Sequence, residues 1–335
     1  MPAVVSRRRF IAISAVAIGA PLLAFGVGRA QARPWRWEGR ALGAPASITL
    51  YHSDPDRSRA AIAAGLAELQ RLEGVFSLYR PDSALSALNR NGVLTDAPAD
   101  LLSLLGRALT LAEISDGVYD PTVQPLWRLY RDHFTTPNPE PAGPSPAAIA
   151  AARSLVDWRA LELDPDRRRI ALARPGMGLT LNSGAQGYIT DRVAEVLRAR
   201  GFDRMLVDMG EPRGLSTKPD GSAWHIAIAN PSDPAKPVAT LEVVDRCVAT
   251  SGGYGTLFDP AGRFTHILDP RTGGTAPALE GVSVVAETAT LADGLATAML
   301  LAPVERRRTI LRAAGGIQAV YVGPQGVIAT VEATA

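Results

Sequence analysis

Cysteine is nearly absent: Cys247 is the only one in 335 residues. No intramolecular disulfide can form, and a cysteine-rich zinc site is excluded. The setting VVDRCVATS reads as a strand, which favours a buried, small apolar side chain over a reactive thiol. Histidine is also scarce. His52, His133, His225 and His266 are scattered and make no zinc signature. The glycine pattern of dinucleotide-binding folds, the phosphate loop, the H-E-x-x-H zinc motif and the G-x-S-x-G nucleophile elbow are all missing. Net charge is only +2, so nothing points to nucleic acid as a partner. Beyond Phe25 no apolar run is long enough for a membrane span, so no transmembrane anchor is expected in the mature form.

The N-terminus carries the clearest address. VSRRRFIAIS is followed by an apolar run from Ile11 to Phe25 and by Ala30-Gln31-Ala32. Paired arginines, a hydrophobic segment and a small-x-small cleavage site together read as a twin-arginine export signal over residues 1–32. The run is about 15 residues, short of the roughly 20 that a spanning helix needs. The expected location is therefore periplasmic, and the twin-arginine route carries folded proteins, often with a cofactor bound. The whole sequence is 47% hydrophobic, and the remaining chain, residues 33–335, is long enough for a substantial core.

Periodicity then sketches the fold. Ala46–Tyr51 reads as a strand, and Pro55–Leu72 as a helix capped by Asp54 or Ser53. Leu101–Ile114 is a second helix, stopped by Asp116-Gly117. Thr136 to Pro146 holds five prolines and no periodicity, a surface loop and not a domain linker. Short strands follow at Ala160–Leu163 and Arg169–Leu172 around the turn DPDRR. A helix is expected from about Tyr188 to Arg200. Strands are expected at Arg204–Asp208, Trp224–Ala229, Ala239–Val243, Cys247–Thr250, Phe264–Leu268 and Val282–Ala286. Helices over Leu291–Leu301 and Val304–Ala314 precede a final strand pair, Ala319–Val322 and Val327–Val331. Many strands interrupted by a few long helices indicate an α+β fold.

Several segments carry candidate chemistry. Asp293 and Thr297 are four apart on a helix and share a face, so they offer hard oxygen ligands suited to Mg²⁺. Such pairs also occur as a solvated charge beside a back-bonded threonine. The turn Ser183-Gly184-Ala185-Gln186-Gly187 before a helix exposes amides that attract phosphate and carbonyls that serve a metal. Ordinary strand-to-helix turn chemistry gives the same pattern. His266 ends a strand before Asp269-Pro270 and can serve as a general base, although single histidines are often structural. The glycines of TSGGY, Gly252 and Gly253, allow close approach of a ligand to the backbone.

Taken in register, FSLYRPDSALSALNR, YDPTVQPL, GYITDRV, TSGGY, HILDPRTG and ADGLATA resemble the ApbE family of FAD:protein FMN transferases. The resemblance implies a two-lobed single α+β domain of mixed or antiparallel sheets and flanking helices, with the flavin cleft between the lobes. It implies an enzyme that uses Mg²⁺ to cleave FAD, passes FMN to a Ser or Thr of a target protein, and releases AMP. By position, Asp293, Thr297 and the carbonyl of Ala185 would hold the metal, and His266 would be the base. Tyr79, Asp120, Thr122, Gly184, Gly187, Ser251 and Tyr254 would contact the cofactor.

The chain departs from the family pattern in three places. Gln186 stands where the family has lysine, Gly210-Glu211-Pro212 where it has GGD, and Leu42-Gly43-Ala44 where it has MGT. These departures, with the export signal, resemble a NosX-like branch that flavinylates NosR, the membrane-bound partner of nitrous oxide reductase. The missing lysine leaves a second reading open, a non-catalytic periplasmic protein that binds and delivers FAD. A hydrolase built on Ser251 and His266 lacks a carboxylate partner and an elbow.

Overall fold

The computed structural model describes residues 33–233, 236–326 and 328–334. The expected export signal, Met1–Ala32, lies outside the described residues. Thirteen strands run β1 (Arg33–Ala41), β2 (Ala44–His52), β3 (Val93–Leu94), β4 (Leu161–Asp164), β5 (Arg169–Leu172), β6 (Met205–Asp208), β7 (Pro212–Leu215), β8 (Trp224–Ile228), β9 (Ala239–Val243), β10 (Arg246–Gly252), β11 (Gly281–Ala286), β12 (Gln318–Val322) and β13 (Ile328–Glu332). The helices are α1 (Pro55–Phe76), α2 (Ala84–Asn91), α3 (Ala99–Ser115), α4 (Gln124–Thr135), α5 (Pro146–Arg153), α6 (Ala185–Arg198), α7 (Ala289–Leu301) and α8 (Arg307–Ala314).

Eight strands form one sheet in the order β1-β2-β6-β7-β10-β11-β12-β13. Every neighbouring pair in it is antiparallel. Alternation along each strand decides which side chains face which layer. Met205 and Val207, Cys247 and Ala249, and Val282 and Val284 point into the main core with α1, α6 and α7. Leu206 and Val248 point to the opposite face, where the β8–β9 hairpin covers them with Trp224, Ile226 and Val243. Val320 and Val322 meet Ile228 there. The three-stranded sheet β3-β5-β4 is a separate layer beside α2 and α3. A satellite core of Leu126, Tyr130 and Leu268 joins α4 to the irregular segment after β10. This is the expected α+β architecture, with both larger sheets wholly antiparallel.

Local signals placed most elements well. Asp54 caps α1 by accepting from the amides of Asp56 and Arg57, and Asp116 ends α3 in the left-handed region at φ 56°. Four departures have physical reasons. Phe264–Leu268 is not a strand. It makes only single bridges, Leu257 to Thr265 and Leu268 to Thr275, because its apolar residues divide between two cores, Phe264 and Leu268 in the satellite core and Ile267 against the main one. α6 begins at Ala185, before the expected Tyr188, since Gly184 at φ 151° admits the turn. Val304–Arg306 is a 3₁₀ turn ahead of a shorter α8. β1, β7, α2, α4 and α5 are elements that periodicity alone did not resolve. α4 starts on Gln124-Pro125, a proline tolerated only in a first helical turn.

Among the described residues no helix is long and apolar enough to cross a membrane.

Asp191 of α6 ties two layers together. Its carboxylate accepts from the amides of Ala289 and Thr290 at 3.0 and 2.9 Å and from the Thr290 hydroxyl at 2.6 Å. It also pairs with Arg213 at 2.6 Å. Asp191→Ala is expected to cost about 3–5 kcal/mol because it strands a largely buried guanidinium. Asp54→Ala should cost about 1 kcal/mol, a lost cap. Urea unfolding of the two variants checks the ordering.

Candidate active site

The cleft opens where the N-terminus of α6 and the body of α7 meet the approach to β7 and the end of β10. Its cavity encloses about 190 Å³. Tyr79, Asp120, Ser251, His266, Asp293 and Thr297 all line it. Residues spread over more than two hundred positions are thus brought together, which the scattered motifs required.

Asp293 sits one turn into α7 and is 5% exposed. Its Oδ2 accepts from the amide of Gly187 at 3.0 Å, and the Gly184 amide also bonds to it. Burial nevertheless pushes its carboxyl up to about 7, the desolvation cost outweighing the two amides. One turn on, the Thr297 hydroxyl lies 2.9 Å from that of Ser251 on β10.

Glu211 completes this wall, and sequence reasoning did not select it as a site residue. It is buried at the start of β7's approach, and its Oε2 accepts from the Thr250 amide at 3.2 Å. Its carboxyl is raised well above the ordinary range, first by burial and then by the negative charges of Asp293 and Asp208. The signal for it was an acidic residue three positions past the end of a buried strand. Asp208, at the end of that strand, is pushed to about 7 by burial. No lysine or arginine lines the cleft among the described residues.

His266 stands on the loop after β10. Its Nδ1 is 3.2 Å from both the amide nitrogen and the carbonyl oxygen of Thr256. Burial lowers the imidazole to about 4, so the ring is neutral at ordinary pH, as a base must be.

Of the other expected residues, Tyr79 and Asp120 line the cavity and the rest stand behind it. Asp120 accepts from the amide and hydroxyl of Thr122 at 2.7 and 2.6 Å and from the Trp158 amide at 3.1 Å. Thr122 is fully buried, its hydroxyl also accepting from the Asp157 amide. Its position supports Asp120 from outside the cavity lining. Ala185 opens α6 with its amide on the Leu181 carbonyl. Gly187 is wedged against α7: a Cβ there would lie 2.2 Å from the Ala289 carbonyl oxygen. Gly184, Ala185 and Gly187 are not among the cavity-lining residues. Tyr254 packs across Gly252 and Gly281, outside that lining too, and its hydroxyl is raised to about 12 by burial and by Glu211. The carbonyl of Ser183 in the glycine turn is taken by the Tyr119 hydroxyl at 2.9 Å.

The donor set suits a hard cation. Asp293, Thr297, Ser251 and Glu211 offer only oxygen, and three buried carboxylates, Asp120, Glu211 and Asp293, line the cleft without a cationic side chain. No group of three or more His, Cys, Asp or Glu side chains able to hold a metal exists among the described residues.

A profile of the ApbE family matches residues 42–321. The chain belongs to the ApbE family. An FAD:protein FMN transferase of Treponema pallidum (strain Nichols) is 32% identical over 89% of this chain and 86% of its own length. One of Salmonella typhimurium is 27% identical over 83% of this chain and 81% of its own. Among solved structures, the apo flavinyl transferase ApbE of Pseudomonas stutzeri superposes with a TM-score of 0.76 at 29% identity, covering 90% of this chain and 96% of that one. The ApbE protein of Thermotoga maritima gives 0.77 at 27% identity, covering 90% and 97%. The ApbE fold expected from the motifs is therefore the fold observed.

The raised Asp208 carboxyl has a measurable consequence. Its folded state holds a proton up to about pH 7, whereas an unfolded chain releases it near 3.9. Its contribution to stability therefore falls as pH rises through that window. Metal-free Asp208→Asn is expected to be more stable than the parent at pH 8, on the order of 2–4 kcal/mol, with the gap closing toward pH 4. Thermal melts across pH read this directly.

Proposed function

We propose that this chain is an FAD:protein FMN transferase that works outside the cytoplasm. The observation that carries the reading is one cleft uniting Asp293, Thr297 and Ser251 with a neutral His266. FAD is the substrate, held with its pyrophosphate toward the α6–α7 corner. Asp293, Thr297 and the backbone near Ala185 would hold Mg²⁺, which when bound neutralises charge on the phosphate oxygens. Thr256 fixes the His266 ring through Nδ1, leaving Nε2 to take the proton from the acceptor hydroxyl. That oxygen bonds to the FMN phosphorus as the bridging P–O bond breaks, and AMP departs with the electron pair. The acceptor is a Ser or Thr of a target protein. The twin-arginine pattern supports periplasmic action, and the departures at Gln186 and Glu211 support a NosX-like role with a NosR-type target.

Gln186 favours one competing reading. Its side chain lies in the cleft against Gly210, where a Cβ would come 2.2 Å from Nε2, and it brings no charge to the phosphates. A protein that only binds and delivers FAD fits that neutrality.

Incubation with FAD, Mg²⁺ and a purified acceptor domain separates the two. Transfer leaves a fluorescent flavin band on a denaturing gel, and chelation by EDTA abolishes it. FAD binding with no band on any acceptor, a NosR-type one included, supports the carrier. Asp293→Ala is expected to abolish metal-dependent turnover with the fold intact, and full activity in that variant would remove Asp293 from the metal site. His266→Ala should slow transfer by about 100-fold or more with little change in FAD affinity. Equal losses in both would instead make His266 a binding residue.

A further inference from the structure

Trp127 lies in the cleft lining, and neither the motif reading nor the mechanism above uses it. Its neighbours on α4, Leu126 and Tyr130, are buried in the satellite core with Leu268, while Trp127 is half-buried and borders the cavity. The indole is flanked by two side chains. The Phe258 ring meets it edge-on at 5.9 Å and 67°, and the Arg131 guanidinium sits 5.2 Å from its ring centroid. Its Nε1–H has no hydrogen-bond partner among the described residues. Tyr79, 57% exposed, borders the same cavity, and the charge of Arg131 reaches its hydroxyl. A large aromatic surface with a free N–H at the edge of a cleft of mixed apolar and polar lining matches a flat, nitrogen-rich ring that carries acceptors on its rim.

We propose that Trp127 is a stacking platform for one of the two planar fused heterocycles of the dinucleotide, its Nε1–H directed to an acceptor on that ring. Arg131 and Phe258 keep the indole at a single orientation, so little side-chain entropy is lost on binding. This inference rests on the cleft being the FAD site, and it adds a residue that selects the ring.

Calorimetric titration of FAD, FMN and AMP into the protein with Mg²⁺, for the parent, Trp127→Leu and Trp127→Phe, tests it. Trp127→Leu is expected to weaken FAD by about tenfold or more, together with FMN alone or AMP alone. Loss of FMN assigns the isoalloxazine to Trp127, and loss of AMP assigns the adenine. Trp127→Phe, which keeps a ring but not the N–H, should stay within about tenfold of the parent and bind tighter than Trp127→Leu. Thermal melts matching the parent establish that the variants are folded. In turnover the loss should fall on KM for FAD and spare kcat. Unchanged affinity for all three ligands in Trp127→Leu, or equal loss of FMN and AMP, overturns the platform and leaves the transferase reading intact. A parent protein that binds none of the three overturns both.

Discussion

The close crossing of α6 and α7 is the contact on which the rest depends. At Gly187 the two helices approach so tightly that a single methyl group would collide with the backbone of Ala289. Each helix then serves the other's orphan amides. Asp191 of α6 binds the first amides of α7, and Asp293 of α7 binds the amide of Gly187 in α6. Unsatisfied N–H groups at a helix start must find acceptors, and here the acceptors are reciprocal. The same exchange fixes Asp293 at the cleft wall and brings the N-terminus of α6, with its partial positive charge, to one corner. In a cleft without lysine or arginine, that corner is where an anion is best tolerated.

The electrostatics of the site follow from burial. Asp208, Glu211 and Asp293 all lose water, and all are raised. His266 loses water as well, and its charged form is the one disfavoured. Desolvation thus pushes acid and base in opposite directions, toward neutrality. The cleft thus holds a neutral imidazole beside carboxyls that keep their protons to higher pH than usual. Glu211 belongs to this set through geometry that its sequence position only hinted at.

Legibility in the sequence tracked how local each interaction is. The Asp54 cap, the Asp116 stop, the DPDRR turn and the β12–β13 pair are decided by residues within a few positions, and each was readable. β7 was not, because Pro212 and Gly214 have weak strand propensity and are held by pairing with β6 and β10. The Phe264–Leu268 segment has a strand's composition, yet tertiary contacts spend its apolar residues on separate neighbours. At the site, the motifs led to Asp293, Thr297, Ser251 and His266 together. They did not separate the cavity surface from its supports: Thr122 holds Asp120, and Tyr254 braces Gly252. Trp127 was hidden for a related reason, since helical periodicity gives faces but not which face meets a cleft built from distant segments.

The eight-stranded sheet has one more property. Its spatial order, β1-β2-β6-β7-β10-β11-β12-β13, is also its order along the chain. No strand has to be inserted between two that are already paired. As the chain lengthens from its N-terminus, each new strand meets an open edge left by its predecessor, and the sheet can grow in one direction like a row being laid. The functional wall comes late in that sequence, because β10 and α7 follow β7. An interrupted chain ending before residue 289 would therefore have an open edge at β11 and half a cleft, with no Asp293 partner for the amide of Gly187.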